Sequence, residues 1–191
     1  WQAQLDRGMR VELPDAVAQD AVDTARAQLL LAGQAWHSDP VVVAALEDWG
    51  FDEEALHAWA RLGFVARRRA KRREPADTGG ASGWTAWRAA LGASAAAPGA
   101  LLLALRRLLV TEHGEHSTLL PEWPAEWRGQ PIDVREAPTR LGPVSFSVRW
   151  HGERAALLWD VPPGAVVQVP GLDAAWSTGE PRGETLLGPV P

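Results

Sequence analysis

Two pairs of acids, Glu47–Asp48 and Glu53–Glu54, flank a Trp49–Gly50 turn. Paired carboxyls beside an aromatic ring suit glycoside hydrolysis. One protonates the leaving oxygen while the other attacks the sugar or activates water. Asp48, Glu53 and Glu54 are the candidates for those roles. The same acids have a plainer use. Asp52, Glu53 and Glu54 fall where a helix begins, and a helix N-terminus attracts negative charge. That plainer use is the favoured one.

A second cluster, "TEHGEHST", brings Glu112, His113, Glu115 and His116 together in sequence. These are metal-capable groups. Gly114 interrupts them at an expected helix end, so they do not share one rigid face, and surface histidines are the favoured account. No HExxH, zinc-finger spacing, EF-hand loop, P-loop, GxGxxG or GxSxG is present. No metal and no cofactor is therefore expected.

Tryptophan is over-represented: 11 Trp against 3 Phe and no Tyr. Its broad apolar face suits the C–H face of a sugar ring, and its one N–H needs a partner when buried. Trp150 and Trp159 fall in alternating apolar runs and are expected in the core or half-buried against the helices. Trp49, Trp123 and Trp127 fall in turns or connections, where ligand contacts concentrate. They are the candidate sugar-binding residues, with plain packing as the competing and safer account.

Composition limits the other classes. At 46% apolar residues the chain is globular in character. Without cysteine it has neither disulfides nor thiolate metal ligands. That fits a reducing, cytoplasmic setting. No apolar run reaches the roughly 18 residues of a membrane span. The net charge of −5 conceals a basic run, "RLGFVARRRAKRR" at 61–73, on an otherwise acidic chain. That run lacks interleaved aromatics and a recognisable nucleic-acid fold, so nucleic acid is disfavoured. Carbohydrate is the partner class this reading admits. The start "WQAQLDRGMR" has no initiator methionine, and an upstream segment of the same chain is an expected partner.

The elements that would position these groups can be read from periodicity. "RVEL" is a short strand or an extended lead-in. A helix follows, capped by Asp15, with Val17, Ala21, Ala25 and Leu29 as its stripe. "SDPVVVAALEDWG" carries Asp39 as N-cap, Pro40 in the first turn and Gly50 as the stop. "FDEEALHAWARL" opens a second helix capped by Asp52 and continuing through the arginines. Residues 74–83 have loop composition. A helix rich in leucine follows, with Leu101, Leu102, Leu105, Leu108 and Leu109 on one face and Gly114 as its end. After Pro121 the pattern alternates: "VSFSVRW", "RAALLWDV", "AVVQVP" and "ETLLG" are strands. The fold class expected is α+β, with N-terminal helical hairpins followed by a small antiparallel β-sandwich-like module. The divisions are a helical region at 1–118, a Pro/Trp-rich junction at 119–140 and a β-module at 141–191.

Three stretches carry a resemblance to a family: "MRVELPDAVAQDAVDTARAQLLL", "VVVAALEDWGFDEEALHAWARL" and, most specifically, Leu101–Val161, which holds "LLPEWPAEW". Together they resemble the C-terminal part of the six-hairpin glycosidases, bacterial glucoamylase-, trehalase- and rhamnosidase-like enzymes. In that clan a last barrel helix leads through a proline and tryptophan segment into a β-sandwich-like tail. The resemblance implies a partial α/α-barrel in residues 1–118. It also implies a carbohydrate-active role, either as a portion or shortened relative of a glycoside hydrolase or as a non-catalytic carbohydrate-binding or structural module. Whether the chain itself turns over substrate stays open, glycoside hydrolysis being the activity expected if it does.

Overall fold

The structure, a computed structural model, describes residues 2–31, 38–63 and 82–189. The expected loop at 74–83 lies almost wholly outside them, as do the arginines at 67–73. Among the described residues there are six helices and nine strands, an α+β fold. The chain divides into two compact units. The first comprises residues 1–8 and 20–106, and the second comprises 9–19 and 107–191.

The first unit is helical. It holds α1 (Gln2–Leu5), most of α2 (Ala16–Leu31), α3 (Pro40–Asp48), α4 (Asp52–Leu62), α5 (Gly83–Gly92) and most of α6 (Pro98–Leu109). Asp39 caps α3 as the sequence indicates, its carboxylate accepting from the Val41 amide at 2.8 Å. The helix closes in a Schellman turn. The Gly50 amide donates to the Glu47 carbonyl at 3.2 Å and the Phe51 amide to the Leu46 carbonyl at 2.9 Å. This geometry needs a left-handed residue, and Gly50 supplies it at φ 80. Phe51 then buries its ring and stands as the N-cap of α4. Asp52, expected as that cap, is instead the first helical residue, and α4 has no side-chain cap hydrogen bond.

The expected α2 stripe shifts. In α2 the buried apolar positions are Ala18, Val22, Ala25 and Leu29, while Val17 is exposed. A constant step of four drifts around a helix of 3.6 residues per turn, whereas steps of four, three and four hold one face. In α4 the buried residues are Ala55, Ala58 and Trp59, with Leu56 outside. The α6 face of Leu101, Leu102, Leu105, Leu108 and Leu109 is fully buried, as expected.

The second unit contains two sheets. One has five strands in the order β1 (Arg10–Glu12), β4 (Ile132–Ala137), β5 (Val144–His151), β6 (Arg154–Asp160) and β9 (Arg182–Pro189), all antiparallel. The other has β2 (Val110–His113), β3 (His116–Leu119), β7 (Val166–Val169) and β8 (Asp173–Thr178). Its β3–β7 pairing is parallel and the remaining pairs are antiparallel. The β5 alternation holds, with Val144, Phe146 and Val148 buried.

Two boundaries move from their expected places. Helix α6 ends at Leu109, not at Gly114. Val110 and Thr111 begin a hairpin whose two-residue turn is Gly114–Glu115. β-Branched residues favour the pleated strand over another helical turn. The junction at 119–140 is also not merely a connection, because β4 occupies its second half. "RVEL" is a strand, and its partner is β4, over a hundred residues later.

Candidate functional site

The acids sit in the helical unit. Arg7, just beyond α1, pairs with Glu53 at 2.8 Å and with Glu54 at 2.5 Å. Gln4 adds a hydrogen bond to Glu54 at 3.2 Å. Burial alone would raise the Glu54 carboxyl. Its own backbone amide, Gln4 and Arg7 outweigh that and hold it below the ordinary glutamate range. A glycosidase acid needs the opposite, a carboxyl kept protonated near neutrality. Glu53 is 76% exposed, and Asp48 is exposed at the C-terminal end of α3. The geometry makes Glu53 and Glu54 a clasp between Arg7 and the start of α4.

Trp49 is fully buried, so no sugar ring can lie on its face; this corrects the reading from its place in a turn. Its indole N–H donates to the Leu102 carbonyl at 2.9 Å. The Arg26 guanidinium stands 5.7 Å from its ring centroid, within cation–π range. The Schellman turn at Gly50 leaves Trp49 facing inward, and sequence position alone did not show that.

The Pro/Trp segment of the second unit is built differently. Leu120 takes a left-handed φ of 46 and is completely buried. Its carbonyl accepts from the Gly171 amide at 3.1 Å. Gly171 is pressed so closely on this segment that a Cβ there would lie 2.5 Å from the Leu120 carbonyl oxygen and 2.6 Å from the Trp123 nitrogen. Pro124 leads into a single 3-10 turn, Ala125–Trp127. That turn sends Trp127 into the interior at 2% exposure, which removes it too as a sugar platform.

Trp123 is only partly buried and is the centre of a three-ring cluster. Its ring meets Trp127 edge-on at 6.1 Å and Trp150 at 5.9 Å with a 50° tilt. Both separations lie within the range of favourable aromatic pairs. Trp150 is also partly exposed, and its N–H donates to the Gln130 carbonyl at 2.9 Å. The Trp123 N–H is buried without a hydrogen-bond partner among the described residues. Such a group costs about 1–3 kcal/mol. Packing against Trp127 and Trp150 therefore sets the position of the Trp123 ring, without help from a hydrogen bond.

Trp150 continues the inward alternation of β5 and, of the core and half-buried placements expected for it, takes the half-buried one. It is the last inward position before the Gly152 turn, and the end of a strand is where such a position opens to solvent. The His113–His116 pair faces across the β2–β3 turn, on strands instead of at a helix end, with both side chains exposed. Among the described residues no three His, Cys, Asp or Glu side chains converge as a metal site. No described helix is long and apolar enough to cross a membrane.

No family model, curated protein or solved structure matches the chain. The arrangement of side chains is therefore the basis for any functional reading.

Proposed function

We propose that this chain is a non-catalytic carbohydrate-binding module, related to the C-terminal part of the six-hairpin glycosidases and placed in the cytoplasm. The observation that carries the reading is the Trp123–Trp150 pair. Two indoles are partly open to solvent, and both are fixed from behind, one by Trp127 and the other by the Gln130 carbonyl. Preorganised rings lose little conformational entropy on binding, which is where flexible surfaces forfeit affinity. The 50° tilt suits a ligand whose successive rings turn, such as a soluble oligosaccharide, better than a flat crystalline face. Hydrolysis by Asp48, Glu53 and Glu54 has less support, because Arg7 occupies two of these acids and Glu54 is held in its charged form.

Tryptophan fluorescence during titration with a panel of neutral oligosaccharides tests this reading. A saturating shift in the wild type that is absent in Trp150→Ala supports it. A flat response to every member of the panel removes it.

A further inference from the structure

The face of the five-stranded sheet away from Val134 and Phe146 carries a cleft that the tryptophan reading does not use. Val11 and Val134 are buried, so their strand neighbours Arg10, Glu12, Asp133 and Arg135 lie on the opposite face. The register sets Arg10 directly across from Arg135 and Glu12 directly across from Asp133. Like charges in direct cross-strand opposition destabilise a sheet. Exchanging Arg10 and Glu12 would give two attractive pairs, so the arrangement separates charge at some cost in stability. One end of the cleft is cationic and the other acidic. The cleft has a volume of about 310 Å³ and is lined by Arg10, Val11, Glu12, Asp133 and Arg135. That is the lower end of the small-molecule range.

The charges in the cleft are not equally committed. Asp133 is 7% exposed and already holds two guanidinium groups, Arg135 at 2.7 Å and Arg149 at 3.5 Å. Arg149 also donates to the Ile132 and Val148 carbonyls. The Arg10 side chain has no ion-pair or hydrogen-bond partner among the described residues, and it extends from the strand position opposite Arg135. With Arg149 counted, three cations meet two acids, which leaves one positive charge in excess at the Arg10–Arg135 end.

We propose that this cleft binds a small hydroxylated carboxylate of the sugar-acid class. The Arg10 and Arg135 guanidiniums take the carboxylate, for which the planar fork is geometrically matched. Glu12, at the acidic end, accepts hydrogen bonds from the ligand's hydroxyls. A neutral sugar would leave Arg10 unanswered, and a bare inorganic oxyanion would meet Glu12 with nothing to donate. The site is separate from the tryptophan pair, since Trp150 continues the inward face of β5.

Calorimetric titration of the whole chain with D-glucuronate, D-glucose and inorganic phosphate tests this. Saturable binding of glucuronate is expected, at least tenfold tighter than either of the others. Arg10→Gln should weaken it at least tenfold without lowering the melting temperature, since it also relieves the Arg10–Arg135 opposition. Arg10→Lys, which keeps the charge and loses the fork, should weaken it several-fold. Trp150→Ala should leave it intact, so failure here and failure of the oligosaccharide reading are separable. The proposal is overturned if glucuronate does not bind, if glucose or phosphate binds as tightly, if Arg10→Gln binds like the wild type, or if Trp150→Ala abolishes binding.

Discussion

Replacing Trp49 by Phe separates a structural tryptophan from a ligand platform. Phe keeps a ring in the core but removes the indole N–H, leaving the Leu102 carbonyl, its partner at 2.9 Å, without this donor. That carbonyl also lies within the hydrogen-bonded ladder of α6, so the loss is one hydrogen bond, about 0.5–1.5 kcal/mol. The smaller ring leaves space in a fully buried site, and core truncations of this kind cost about 1 kcal/mol or more. A weaker cation–π contact with Arg26, 5.7 Å from the ring, adds a few tenths to about 1 kcal/mol. Together these amount to about 2–4 kcal/mol, or roughly 5–15 °C in melting temperature for a chain of this length. Thermal melting followed by far-UV circular dichroism measures it. The oligosaccharide response of Trp49→Phe should equal that of the wild type once both are folded. A loss below about 0.5 kcal/mol would refute the burial argument. A folded Trp49→Phe variant that no longer responds to sugar would refute the assignment of Trp49 to the core alone.

Trp123→Phe should cost less than Trp49→Phe by about 0.5–1.5 kcal/mol, because the N–H it removes has no partner to lose; paired denaturant titrations compare them. Gly171→Ala should destabilise by about 1–3 kcal/mol, since its Cβ would fall 2.5 Å from the Leu120 oxygen and that backbone must move; chemical denaturation with unchanged m-value checks it. Glu54 has a folded-state pKa below its ordinary 4.5, so the stability it contributes is present above that value and lost as pH falls through the lower folded value. Melting temperatures of wild type and Glu54→Gln should converge across that acidic window and differ above it. Asp39→Ala should cost about 1 kcal/mol through loss of the α3 cap at Val41, read by thermal melting.

Local chemistry was the most legible part of the fold. Asp39, Pro40 and Gly50 mark the bounds of α3 because caps and left-handed residues act within one turn. The β5 alternation was equally plain, since its inward face is buried from Val144 to Val148. Long-range pairing was not legible. Nothing near "RVEL" indicates that Val11 will lie opposite Val134, because a three-residue strand takes its partner from the rest of the sheet. The α6–β2 boundary failed for a related reason: "LLVTEHG" suits a helix end as well as a strand, and pairing with β3 decides between them.

The site divided in the same way. Residue type singled out tryptophan and acid as candidates, but exposure decides which of them a ligand can reach, and exposure is set by tertiary packing. Trp49 and Trp127 turn inward, Trp150 opens at the end of its strand, and Glu54 is claimed by Arg7 from a segment nearly fifty residues earlier. The charge-separated ladder of Arg10, Glu12, Asp133 and Arg135 could not be seen until the β1–β4 register was known.

The central claim is that Trp123 and Trp150 form a carbohydrate platform. Its most direct test is calorimetric titration of neutral oligosaccharides into the wild type, Trp150→Ala and Trp49→Phe side by side. The account predicts saturable binding to the wild type and to Trp49→Phe, and at least tenfold weaker binding to Trp150→Ala. Equal binding by Trp150→Ala and the wild type, or no binding by either, would contradict it.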